Sequence, residues 1–373
     1  MNTVLKFGLA AILAAFAVPA HAMPDKVIPV AGDAMASVVA IARAGNISGA
    51  FAIVDTSGDI QEAVVGLADR DRGTPHREGQ SWIWASITKQ VTAILIMQEV
   101  ERGRLALDTP VGTYLDTYAG RPITVRQLLQ HQSGLPNPSD TPRDAEDMQS
   151  YYRETGSVIS DAERARGFCA GVPKRVSGGA FEYNNCDYQV LGALLEVVTG
   201  LRYDQLIDQR IARPLGLESL RMAADGEQGG GADVVGYTDG KAYPAINVAT
   251  LGAAGALVGS VRDLARLDRA LMTGELLSPE ARATLWSGVP ALGYQALGVW
   301  SFSAPLKGCS APIDLVERRG DFAGTQVRNI IAPSLGRAVI VFVNDEKVDF
   351  GEIWQGTGLS HDLLAAALCS SES

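Results

Sequence analysis

Ser86-Ile-Thr-Lys89-Gln-Val-Thr-Ala-Ile-Leu-Ile-Met-Gln-Glu-Val-Glu-Arg102 is the stretch on which the reading of this chain turns. It is the longest run that reads as one helix, closed by Gly103 and by Asp108-Thr-Pro110. Val91, Ile94, Leu95, Ile96, Met97 and Val100 make it apolar on most faces. A helix apolar nearly all round is a buried one. Lys89 is therefore out of place unless something uses it. Ser86 and Lys89 stand at i and i+3, on one helix face. A serine in the first turn can accept a hydrogen bond from that amine, and the helix N-terminus adds positive potential where an oxyanion would form. Burial depresses a lysine's pKa, which a general base requires. Spacing alone carries nothing: with 23 Ser and seven Lys, chance supplies about 0.4 S-x-x-K matches. A Lys89 that snorkels or pairs with an acid is the competing reading.

On the N-terminal side, Asp33–Ala44 has helical period. Gly49–Val54 and Ile60–Gly66 are apolar runs around Asp55-Thr-Ser-Gly-Asp59, which predicts a β-hairpin. On the C-terminal side, Thr124-Val-Arg-Gln127 is a capping box. The helix it opens runs to about His131 and stops at Ser133-Gly134-Leu-Pro136. A helix end suits a His cation, so His131 is read as a core or helix-end residue. Residues 137–176 form a polar excursion with some helix. Asp187–Val198, Tyr203–Ile211, Val261–Thr273 and Ser278–Leu285 read as helices. Gly226–Gly240 lacks a phosphate-loop pattern and reads as a flexible loop. Ala296–Phe302, Asp314–Arg318, Gln326–Ile331 and Ala338–Val343 read as strands. Their turns are expected at Gly320-Asp321 and Ser334-Leu-Gly336, and a closing helix lies within Phe350–Cys369. Strands at both ends and helices between them predict an α+β fold: one antiparallel sheet flanked by helices, a mostly helical lobe, and a cleft between. The expected single domain is 23–373, with a sheet lobe of 30–85 and 250–373 and a helical lobe of 86–249.

Composition narrows the class. The 373 residues are 47% hydrophobic and 20% charged, with formal net charge −10. An acidic chain without a Lys/Arg run lacks the footprint of a nucleic-acid binder or of a protein drawn to anionic membranes. Residues 1–22 hold Lys6, the apolar run Phe7–Val18 and Ala20-His21-Ala22. That is the pattern of a cleaved export signal, its apolar run too short to span a bilayer. The expected location is periplasmic, or secreted, and the expected state a monomer. Cys169, Cys186, Cys309 and Cys369 then permit two disulfides. Nearest-neighbour pairing is expected, although sequence does not fix connectivity. His76, His131 and His361 show no ligand spacing, so neither a metal nor another cofactor is expected.

Tyr183-Asn-Asn185 precedes the Asp187–Val198 helix. A phenol beside an ammonium loses its proton more easily, and an amide can hold a lysine or a substrate carbonyl. Asn before a helix also caps it, so the pair alone is weak. Together these stretches resemble the serine β-lactamase and penicillin-binding superfamily, in particular its class C β-lactamase and related esterase/D-amino-peptidase branch. The likeness runs from Trp84-Ala-Ser86-Ile-Thr-Lys89 through Gly103-Arg-Leu-Ala-Leu-Asp108, Ile123–Leu135, Phe181-Glu-Tyr-Asn-Asn185, Pro214-Leu-Gly-Leu217 and Ala254-Gly255 to Asp263-Leu264. It spans about residues 35–345.

The resemblance implies that Ser86 is the acylated nucleophile and Lys89 the base or proton shuttle. Tyr183 becomes the second proton-transfer group and Asn185 a substrate contact. The superfamily's third motif, Lys-Thr-Gly or His-x-Gly, is matched here only by Arg318-Arg-Gly320, with Asp321 next. Backbone N–H groups of Ser86 and of this segment would form the oxyanion hole. Arg318 could clamp a carboxylate, and Gly320 and Asp321 would face substrate. Surface salt bridges are the other reading of the arginine pair. An inward Asp321 would oppose an oxyanion, which disfavours β-lactam hydrolysis relative to ester or peptide hydrolysis. The implied substrate is a small molecule or peptide, one derived from the cell wall included: an ester, a D-amino-acid peptide or a β-lactam amide. A binding or scaffold protein that lost turnover is the alternative.

Overall fold

The computed structural model describes residues 34–155 and 160–369. The export signal expected over 1–22 lies outside the described residues. Helix α1 (Ala34–Ala44) leads into strands β1 (Gly49–Asp55) and β2 (Ile60–Val65). The hairpin turn is built as expected: the Asp55 carboxylate accepts from the Ser57 and Asp59 backbone N–H groups at 2.9 and 3.3 Å, and Gly58 takes φ +100°. Helices α2 (Thr88–Glu101), α3 (Asn185–Thr199) and α4 (Val261–Thr273) follow. Strands β3 (Trp300–Ala304), β4 (Ile313–Phe322), β5 (Thr325–Ala332) and β6 (Arg337–Val343) and helix α5 (Leu359–Leu368) complete the frame.

Both ends of the chain build one antiparallel sheet in the order β3-β4-β5-β6-β1-β2. Every residue of β1 and β6 is buried. Such strands read as continuous apolar runs because both sheet faces are covered. Phe51, Ile53, Val339 and Val341 face a core closed by Val38 of α1 and Leu363 and Leu364 of α5. Ala50, Ala52, Ile340 and Phe342 face the opposite core, with Leu264, Leu267 and Leu271 of α4. The period-two alternation assigns the faces. Gln90 of α2, Asp268 of α4 and Asn329 of β5 meet inside this second core, with Asp268 Oδ1 accepting from both amides at 3.0 and 3.1 Å.

The β4–β5 hairpin departs from the sequence reading. Gly320 and Asp321 do not turn; they continue β4, paired with Val327 and Gln326. The turn is Ala323-Gly324, both with positive φ (+55° and +74°), the backbone that a two-residue hairpin demands. Two further differences are local. The Tyr203–Ile211 helix ends at Ile207 and passes into a π-turn over Asp208–Ala212. The Gly226–Gly240 segment holds a 3-10 turn, Gln228–Gly231, and begins a small hairpin pairing Tyr237–Thr238 with Lys241–Ala242. The 137–176 excursion carries some helix as expected, the capped Asp161–Arg166. Cys169 pairs with Cys186 and Cys309 with Cys369. Among the described residues, no helix is long and apolar enough to cross a membrane.

Candidate active site

Ser86 does not sit in the α-helix proper. It occupies a 3-10 turn, Ala85–Ile87, that leads into α2. Ala85 holds φ +48°, a left-handed backbone that alanine rarely adopts. Its surroundings enforce it. The Trp84 N–H donates to Leu257 O at 2.9 Å, the Leu257 N–H donates to Thr88 Oγ1 at 3.1 Å, and that hydroxyl donates to Ala85 O at 2.7 Å. Strand β4 closes the other side. A Cβ on Gly320 would come within 2.6 Å of Trp84 O, so only glycine lets the strand approach this closely. Trp82 and Trp84 are buried in the core and hold this turn from behind.

The Tyr183-Asn-Asn185 loop is fixed by its neighbours. Asn184 caps α3 by accepting from the Cys186 N–H at 2.8 Å, which leaves Asn185 free for the site. The Asn184 N–H donates to His131 Nδ1 at 3.2 Å, and Asn137 Nδ2 donates to Tyr183 O at 3.0 Å. His131 is fully buried, and burial, with the nearby Arg318 and Lys89 charges, pushes its pKa well below the usual value. It is a neutral acceptor beside the Tyr183 ring: of the core and helix-end readings that the sequence offered, the core one holds.

Four sequence-selected side chains meet at one point. Ser86 Oγ lies 2.5 Å from Tyr183 Oη and accepts from Lys89 Nζ at 3.0 Å. Lys89 also donates to Asn185 Oδ1 at 2.8 Å and Ala254 O at 2.5 Å, which occupies all three ammonium protons. Burial, with repulsion from Arg318, lowers Lys89 to about 8, against the attraction of Tyr183. Burial would raise Tyr183, but the charges of Lys89 and Arg318 outweigh it and bring the phenol to about 8. Two groups this closely coupled share a proton, and their titration belongs to the pair.

The arginine pair divides. Arg318 is 1% exposed and turned inward, its Nε donating to Ser86 O at 2.8 Å, Nη1 to Gly298 O at 3.3 Å and Nη2 to Tyr183 Oη at 2.9 Å. The guanidinium expected to clamp a substrate carboxylate thus grips the Ser86–Tyr183 unit. Arg319 forms the salt bridges, to Glu317 and Glu352, each at 2.7 Å. Asp321 is exposed and lines the same cavity, which measures about 350 Å³ and is also walled by Tyr152, Trp300 and Phe322. Partial burial pushes the Asp321 carboxyl up to about 6 against the pull of Arg328.

Sequence reasoning missed Tyr152, whose hydroxyl accepts from Asn185 Nδ2 at 2.9 Å and whose ring meets Phe322 edge-on at 5.1 Å. The only signal was an aromatic pair, Tyr151-Tyr152, in an otherwise polar stretch. Among the described residues, no group of three or more His, Cys, Asp or Glu is placed to hold a metal.

A family model described as Beta-lactamase matches residues 33–356. Esterase EstB of Burkholderia gladioli is 32% identical over 54% of this chain and 53% of its own length. A D-aminopeptidase of Cereibacter sphaeroides is 28% identical over 53% of this chain and 38% of its own length. The chain thus spans about half or less of these curated relatives. The solved D-amino acid amidase from Ochrobactrum anthropi SV3, complexed with D-phenylalanine, superposes with TM-score 0.72 at 20% identity. That match covers 90% of this chain and 99% of the amidase, and it speaks for the fold.

Proposed function

The chain belongs to the Beta-lactamase family, and from that premise we propose that it is an exported serine hydrolase that forms an acyl-enzyme on Ser86. One observation carries the reading: Ser86 Oγ stands within hydrogen-bond reach of both Tyr183 Oη and Lys89 Nζ. A nucleophile touching its base, with the base held by further groups, is the arrangement that acyl transfer needs. Removing one proton from the Lys89–Tyr183 pair creates the base. Arg318 and Lys89 stabilise that proton's loss from the phenol. Ser86 Oγ then attacks the substrate carbonyl, its proton passes to Tyr183, and the pair protonates the leaving group as the tetrahedral intermediate collapses. Water repeats the sequence in reverse and frees Ser86.

The esterase and D-aminopeptidase relatives support an ester or an amide of a D-amino acid as the scissile bond. A binding protein without turnover would have no use for a buried lysine hydrogen-bonded to a serine. Two disulfides are consistent with export.

The activity test compares a short-chain p-nitrophenyl ester, a D-alanyl dipeptide and a chromogenic cephalosporin. The ester or dipeptide should turn over fastest, and Ser86→Ala should abolish turnover of each. Faster hydrolysis of the cephalosporin by a wide margin would overturn the substrate order. Residual turnover in Ser86→Ala would overturn the choice of nucleophile. Activity should rise with pH up to about 8, where the pair loses its first proton.

A further inference from the structure

We propose that Asp321 is a specificity-determining residue that selects substrates presenting a positive charge, such as a free α-ammonium, beside strand β4. The proposal rests on the acyl-enzyme reading of Ser86 and adds the charge of the substrate to it. The argument is an inventory of charge around the cavity. Arg318 is buried, and each of its three nitrogens already donates inside the protein. Arg319 is neutralised by two carboxylates, Glu317 and Glu352. Arg328 donates to Val327 O and Gln326 Oε1 and lies over the Phe350 ring at 4.3 Å. Lys89 spends its three protons on Ser86, Asn185 and Ala254.

Asp321 is the one carboxylate among the residues that line this cavity. It makes no hydrogen bond or close ion pair among the described residues, and Arg328 attracts it only from farther away. It is one residue past Gly320, whose strand touches the backbone of Trp84. The remaining lining is apolar or neutral, with Trp300, Phe322, Tyr152, Met148 and Leu251. A lone carboxylate in such a wall attracts an ammonium and repels a carboxylate.

The test uses the whole enzyme at pH 7, with the methyl esters of D-phenylalanine, N-acetyl-D-phenylalanine and N-succinyl-D-phenylalanine. The electron-withdrawing ester holds the free α-amino group about a unit below the value near 8 of a chain-terminal amine, so at pH 7 about half of the first ester is cationic, while the second is neutral and the third anionic. The expected kcat/KM order is cationic, neutral, anionic, with on the order of tenfold between the first two. Asp321→Asn should bring those two within about twofold, chiefly by lowering kcat/KM for the cationic ester. The wild-type preference should also shrink as salt rises from 20 mM to 0.5 M. Equal kcat/KM for all three esters, or a preference that Asp321→Asn and salt leave intact, would overturn the role of Asp321 while the acyl-enzyme reading stands. Hydrolysis of none of the three would instead count against the acyl-enzyme reading and carry this proposal down with it.

Discussion

Ser86, Lys89, Tyr183 and Asn185 were legible because their spacing and their resemblance to known motifs agree. Lys89 is a charge that a buried helix would otherwise avoid, whereas Tyr183 and Asn185 suit a loop before a helix and gained meaning from the resemblance. Arg318 was legible as a cation at the site, but not its direction. Which way a guanidinium points depends on partners far along the chain: Ser86 O and Tyr183 Oη lie 232 and 135 positions away. That direction alters a mutational expectation. An arginine that bound substrate carboxylates would, on replacement by alanine, penalise anionic substrates alone. The observed Arg318 acts on the proton pair instead. Its charge lowers both Lys89 and Tyr183. Arg318→Ala should therefore raise both, move the ascending limb of the pH–rate profile to higher pH, and slow charged and neutral substrates alike at pH 7. A profile measured on a neutral ester checks this. An unmoved limb, with losses confined to carboxylate substrates, would return Arg318 to the clamp role.

Most strands and helices followed from hydrophobic period, and the capping box at Thr124–Gln127 forms as read, with Thr124 Oγ1 accepting from the Gln127 N–H at 3.2 Å. The β4–β5 turn did not, and the reason is physical. Gly320-Asp321 has turn composition, but this glycine is required for close approach, not for positive φ. The actual turn uses Ala323, a residue with no left-handed preference, held there by ladder bonds on both sides. Gly320 also joins the sheet to the serine turn, so its replacement reads out that joint. Gly320→Ala should cost about 1–3 kcal/mol of stability through overpacking. Because the clash is with Trp84 O, two residues from Ser86, kcat should fall further than stability alone explains. Denaturant unfolding and ester hydrolysis on the same sample separate the two. An alanine variant with wild-type stability and rate would show that the contact is not needed.

At the scale of the molecule, the sheet made from both chain ends and the helical middle were foreseeable from the order of apolar runs. The buried polar junction of Gln90, Asp268 and Asn329 was not. Its members lie on α2, α4 and β5 and meet only after folding. Asp268 is fully buried, and burial raises it to about 7, against the two amide hydrogen bonds. An acid raised in the folded state favours folding at low pH, below its unfolded value near 4. That contribution is lost as pH climbs through about 7. Asp268→Asn keeps an acceptor oxygen and removes the titration. Its thermal midpoint relative to wild type should therefore improve steadily between pH 4 and pH 7 and level off above. A difference that stays flat across that range would mean that folding does not raise the Asp268 pKa.

The central claim concerns a covalent bond. The most direct measurement is intact-protein and peptide mass spectrometry of enzyme mixed with a slowly hydrolysed acyl ester and quenched in acid. The account predicts a mass increase of one acyl group, located on the peptide carrying Ser86, that decays at the rate of turnover and is absent from Ser86→Ala. An active enzyme that never carries the acyl group on Ser86, or carries it elsewhere at the turnover rate, would contradict the account.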